Sequence, residues 1–135
     1  LNFVLPGRPL RGKSGQLVSH GRKYPDKAWA VQRDACVMLA KQYALLQIHN
    51  MKKDGVVTLP LPLSCAVKLS GVVRYPDKRE ADLDGVIGAI GHVLERAGVI
   101  QNDKHIQAVD FATGLADAKC PRCLVRLETH YVRSA

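Results

Sequence analysis

The chain has 135 residues, 47% of them apolar and 24% charged. That is the make-up of one globular domain with its own core, not of a disordered, collagen-like or coiled-coil chain. Twenty Lys and Arg against twelve Asp and Glu leave a net charge of +8, which points to an anionic partner, with nucleic acid the commonest large one.

No apolar run reaches the 18 or so residues that a membrane span needs, so no membrane partner is expected. The first ten residues carry Pro and Arg and no signal-peptide core. The four cysteines are therefore expected in a reducing, cytoplasmic setting.

Asn2 to Leu5 is a short apolar run stopped by Pro6-Gly7, and predicts a first strand. Arg8 to Lys23 is Gly-rich and basic, with Arg8, Arg11, Lys13, Arg22 and Lys23 and no acid among them. It predicts a loop, with a short strand at Gln16 to Ser19. A solvated surface suits it, and so does a flexible arm on phosphate.

Pro25-Asp26 opens a helix with Asp26 as N-cap. Ala28, Val31, Ala35, Met38, Leu39 and Leu46 fall on one stripe, carrying the helix to about His49. Asp54-Gly55 is a turn. Val56 to Leu63, broken by Pro60 and Pro62, predicts an edge or approach segment. From Cys65 the pattern alternates: Cys65, Val67, Leu69, Val73 and Tyr75 on one face, Lys68, Ser70 and Arg74 on the other. A charged loop runs from Pro76 to Ala81.

A second helix follows Asp82, with a stripe of Leu83, Val86, Ile87, Ile90, Val93, Leu94 and Ala97 and Gly98 as its C′ residue. Residues 99–103 make a turn. Ile106 to Ala112 and Leu124 to Val132 predict two further strands. The loop between them holds Cys120-Pro-Arg-Cys123. The order is strand, helix, strand, helix, strand, strand, with no repeat and no linker.

In so basic a chain the acids are informative. Asp82-Leu83-Asp84 sits at a helix N-terminus, where carboxylates cap the helix and complement its dipole. The same pair, joined by Asp103, suits a hard divalent cation, since Mg²⁺ takes oxygen ligands and keeps several waters. Asp82-Leu-Asp-Gly-Val-Ile also looks like the D-x-D-G motif of haloacid-dehalogenase-type phosphatases. There the motif ends an apolar strand, whereas here it follows Lys78-Arg79-Glu80-Ala81, and only 51 residues remain after Asp84.

A wider pattern resembles the RusA family of Holliday-junction resolvases. It comprises Asp82-Leu83-Asp84, an apolar helix ending Glu95-Arg96-Ala97-Gly98-Val99-Ile100, then Asn102-Asp103 and Ile106. Asp103 falls nineteen residues after Asp84. Leu5-Pro6-Gly7-Arg8-Pro9 and Tyr24-Pro25-Asp26-Lys27 extend the likeness from Phe3 to Tyr131.

The resemblance implies a single-domain α+β fold, with a mixed sheet and two main helices. It implies a homodimeric endonuclease that nicks four-way DNA junctions on opposed strands with Mg²⁺ or Mn²⁺, in a bacterial or phage setting. The metal ligands it implies are Asp82, Asp84 and Asp103. Arg8, Arg11, Lys13, Arg22, Lys23, Lys78 and Arg79 are the cations expected on DNA.

The chain departs from the family at four points. Gly85 replaces an Asn, Gly88 a Lys, His92 an Asp, and Asn102 an acid. Another cation is expected to serve in place of the Lys, Lys104 first and Lys78 or Arg79 next. The alternative is a catalytically inactive DNA-binding protein on the same fold; a small-molecule phosphohydrolase is a third reading.

The lone CxxC lacks the two further ligands of a zinc site and predicts a hairpin turn. Of the histidines, His105 is nearest to the acids in sequence. Trp29 predicts core or interface. Gly85, Gly88 and Gly91 within one helix suggest close approach of a neighbouring helix or a DNA backbone, which a Cβ would block.

Overall fold

The computed structural model describes residues 1–10, 16–19, 22–25, 27–77 and 83–130. The elements are β1 (Asn2–Pro6), β2 (Gln16–Ser19), β3 (Arg22–Pro25), α1 (Lys27–Lys53), β4 (Val67–Arg74), α2 (Leu83–Arg96), β5 (Ile106–Thr113) and β6 (Arg122–Thr129). A single 3-10 turn, Asp103–His105, precedes β5. Four strands form a mixed sheet in the order β1-β6-β4-β5, and β2 and β3 pair separately.

β4 is the organising strand. It runs antiparallel to β6 and parallel to β5. A parallel pair needs a crossover, which α2 supplies. The alternation read from the sequence holds: Val67, Leu69, Val73 and Tyr75 are buried, while Lys68, Ser70 and Arg74 face away from the helices. Phe3 and Leu5 of β1, and Cys123, Val125 and Leu127 of β6, join them in the core. The two helices cover that face; the other carries Lys68, Ser70, Arg74, Arg122 and Arg126 together with a row of Val4, Leu124 and Val72.

Gly71 is required in this sheet, because a Cβ there would run into the Leu124 carbonyl oxygen of β6. Both helices end on left-handed glycines. Gly55 has φ +80° and Gly98 φ +73°. In each case the following residue bonds back five positions, Val56 to Met51 at 2.9 Å and Val99 to Leu94 at 3.0 Å, which closes the last turn as a Schellman motif.

α2 buries Val86, Ile90, Val93, Leu94 and Ala97 of its expected stripe. α1 does not follow its reading. Val31 (70% exposed) and Met38 (63%) point outward, whereas Cys36, Ala40 and Ala44 are buried. The expected stripe follows the large residues. The structure buries the small ones at i, i+4 and i+8, because small side chains let α1 lie close against β1 and α2.

Two further readings are corrected. Gln16–Ser19 is not an isolated strand in a loop; it pairs with Arg22–Pro25, so Arg22 and Lys23 lie on a strand. The 56–63 segment is the approach segment expected, with one bridge, Leu63 to Ile100, and no strand. The CxxC loop is not a hairpin turn, since β5 and β6 flank β4 on opposite sides and the chain passes over the end of β4 to reach β6. Asp26, the expected cap of α1, lies outside the described residues. Among those described, no helix is long and apolar enough to cross a membrane.

Candidate nucleic-acid and metal site

Arg8, Arg74, Arg122 and the entry to α2 lie toward one end of the sheet, whereas Asp103–His105 precede β5, which starts opposite Val67 at the other end. β1 finishes at Pro6 opposite Arg122, where β6 begins, and Arg122 lies opposite Arg74, where β4 ends. Just beyond, the Gly7 N–H bonds to the Pro121 carbonyl at 2.9 Å. Exposed Arg8 follows, its own carbonyl held by the Gln32 side-chain amide of α1. The chain also leaves β4 at this end to enter α2 at Leu83. Ligands of parallel βα units sit beyond the carboxyl ends of the strands, and the entry to α2 is that position here.

Asp84 occupies the first turn of α2 and is exposed. A carboxylate there is favoured by the partial positive charge of the helix N-terminus. Asp103 is half-buried in the 3-10 turn. Its place beside α2 is fixed by Gly91: a methyl group there would lie 3.8 Å from the Asp103 Cβ and 3.0 Å from Ile106 Cδ1. The close approach expected at Gly91 is therefore made by the chain's own turn and β5.

Gly91 lies seven residues after Asp84, two helical turns and about 10 Å along the axis. Asp84 and Asp103 thus flank the same side of α2 without lying side by side. Among the described residues, no group of three His, Cys, Asp or Glu is placed to hold a metal ion. Asp82, the third expected ligand, lies outside them, as do Arg11, Lys13, Lys78 and Arg79.

Lys104 is exposed in the 3-10 turn rather than at the start of a strand, so strand alternation does not set its direction. His105 is half-buried in the same turn. Asn102, which stands where the resembled family has an acid, caps this turn: its side-chain oxygen accepts the Lys104 N–H at 2.9 Å. Trp29 is half-buried, with the Arg33 guanidinium 5.1 Å from its ring centre.

The chain matches no protein-family model and no curated protein. Its functional reading therefore rests on the residues themselves.

The two cysteines of the CxxC are separated by fold. Cys120 is exposed in the loop, and Cys123 is buried on β6. Burial, with Cys36 nearby, pushes the Cys123 thiol up to about 12, so it is neutral and unreactive at physiological pH. An open groove lined by Ile48, Met51, Val57, Leu61 and Leu127 lies at the far end of the sheet from Asp84.

Sequence reading missed Arg74 and Arg122 as neighbours. Their adjacency comes from strand order, which alternation within single strands does not carry.

Proposed function

We propose that the protein is a Mg²⁺-dependent endodeoxyribonuclease that nicks branched DNA, four-way junctions foremost, as a homodimer. The observation that supports this most is the exposed Asp84 at the start of α2, at the end of the sheet where β4 stops and where Arg8 and, on the opposite face, Arg74 and Arg122 also lie. A nuclease needs both, since carboxylates alone repel DNA. Asp84 and Asp103 offer oxygen donors only, which suits a hard cation that keeps part of its water shell. Asp82 and Asp84 would hold Mg²⁺, which when bound supplies Lewis-acid polarisation of the scissile phosphate and activation of a water; Asp103, two helical turns along α2, would join them only through a shift of its turn. The residues' own part is to orient the phosphate: Arg8 and the cations of residues 78–79 hold the backbone, and Lys104 offers a cation beside Asp103.

The dimer would form through the outward face of α1. Val31, Met38 and Leu45 are exposed and seven residues apart. In an antiparallel pair centred on Met38, Val31 of one copy meets Leu45 of the other. Asp34 then faces Gln42 and keeps its own pairing with Arg33 at 3.0 Å. A two-fold dimer presents two sites to two opposed strands.

A second reading has its own support. With Gly88 in place of the expected Lys and Asp103 set two turns from Asp84, a protein that binds junctions without cutting them is favoured by two observations. One experiment separates the readings. A synthetic four-way junction is incubated with the protein in Mg²⁺ and in EDTA. Nicking in Mg²⁺ that Asp84→Asn abolishes, with binding intact or tighter, supports the nuclease; binding with no nicking in either condition supports the binder.

A further inference from the structure

Arg74 and Arg122 face each other across the β4–β6 pair. Their strand neighbours Val73, Tyr75 and Cys123 are buried toward the helices, so both arginines lie on the opposite, helix-free face. Like charges directly opposite in an antiparallel pair repel, and an acid lies beside this pair.

That acid is Asp117, and it is committed to Arg122. Arg122 Nη1 donates to Asp117 Oδ2 at 2.9 Å and to the Cys120 carbonyl at 2.7 Å. The other carboxylate oxygen of Asp117 accepts the Lys119 and Cys120 N–H groups at 3.2 and 3.1 Å. These donors, Arg122 first, hold the Asp117 carboxyl below its usual range.

Arg74 is fixed by packing instead. A Cβ on Gly114 would fall 2.7 Å from Val72 Cγ1 and 3.4 Å from Arg74 Cγ, so the chain after β5 presses on the arginine stem. Arg74 Nε is buried and has no hydrogen-bond partner among the described residues. A buried donor left without an acceptor is unfavourable and favours a ligand that supplies one.

The site therefore sets two guanidinium groups beside a carboxylate that Arg122 already holds, and both are immobilised before any ligand arrives. Guanidinium forks match phosphate oxygens two at a time, and immobilised groups lose little freedom on binding. Arg126, two rows along the same face, is different: it already pairs with Glu128 at 3.5 Å and is exposed.

We propose that Arg74 and Arg122 form a receptor for one backbone phosphate of DNA on the helix-free face of the sheet. The occupant rests on the nucleic-acid reading above; the phosphate chemistry does not. A strand held here would cross the same end of the sheet from which the chain runs to Asp84.

The test uses the full chain in EDTA, so that cutting plays no part. Binding of a short duplex and of a four-way junction is measured against NaCl concentration for the protein, Arg74→Gln, Arg74→Lys and Arg126→Gln. Arg74→Gln is expected to weaken binding about five- to tenfold and to lower the log–log salt slope by about 0.9, one phosphate contact. Arg74→Lys is expected to keep the slope yet lose affinity, because an ammonium makes no fork. Arg126→Gln is expected to change little.

In parallel, the arginine Nε–H signals are followed by NMR while duplex or inorganic phosphate is added. Movement of the Arg74 signal with duplex supports the proposal. Movement with inorganic phosphate alone overturns the DNA occupant, and movement with neither overturns the site. DNA binding that Arg74→Gln leaves unchanged sinks the receptor while the nucleic-acid reading stands. If the unaltered protein binds no DNA, both fall.

Discussion

A neutral thiol buried on β6 has consequences for chemistry and for stability. Cys123 is 4% exposed and Cys36 3%, whereas Cys120 is open to solvent. At pH 8 an alkylating reagent is expected to label Cys120 and to spare Cys36 and Cys123 until the protein is unfolded, read by mass spectrometry of peptides. Labelling of Cys123 in the folded state would return the CxxC to redox chemistry. The stability effect has a definite sign. The folded-state thiol is raised to about 12, above the unfolded value near 8.5. Its contribution is complete below pH 8.5 and is lost as pH rises toward 12, because the unfolded chain ionises first. Between pH 8.5 and 10 that amounts to roughly 2 kcal/mol, visible as a drop in urea midpoint that Cys123→Val does not show.

Two glycines with similar sequence surroundings separate at the level of elements. Gly71 meets a backbone oxygen of the neighbouring strand, which cannot yield, so Gly71→Ala is expected to destabilise by about 3 kcal/mol in urea unfolding. Gly91 meets the tip of Ile106 at 3.0 Å. That methyl can turn aside, and alanine is worth about 1 kcal/mol over glycine within a helix. Gly91→Ala is therefore expected to be neutral or stabilising; a loss above 2 kcal/mol would show that Ile106 and the Asp103 turn are locked against α2. The elements themselves were legible where one periodicity ruled, as in β4 and α2. α1 was not, because apolar residues occupy two of its faces and hydrophobicity alone ranks Met38 above Ala40. The burial of Ala40 and Ala44 depends on how near β1 and α2 approach, which is a tertiary quantity. The acidic helix start was readable from Asp82-Leu83-Asp84. The distance between Asp84 and Asp103 was not, since it depends on where the turn after α2 docks.

For the whole molecule, the outward face of α1 sets the expected state of association. Met38→Glu at the centre of that face is expected to give a monomer by light scattering while leaving the fold intact, because Met38 is 63% exposed and supports no core contact. A protein already monomeric before substitution, or a variant still dimeric, would remove α1 as the interface. The strand order β1-β6-β4-β5 was the part of the architecture least available to sequence reading. β6 follows β5 in the chain but inserts between β1 and β4, and nothing in the residues of β5 or β6 alone announces that choice. Only the loop that presses Gly114 against Val72 and Arg74 reveals how the crossing is made.

The place of β6 also fixes a schedule. β1 pairs with nothing else in the sheet, and β4 has β6 along one whole side. β6 is the last described strand to leave the ribosome. Until it does, β1 and β4 each keep an open row of backbone donors and acceptors, and the N-terminal strand waits through synthesis of more than a hundred residues for its partner. The β4–α2–β5 unit can form as it emerges; the sheet as a whole closes only when the gap between β1 and β4 is filled by β6. Birth order and spatial order are thus opposed in this protein, and the exposed intermediate is the state that chaperones would meet.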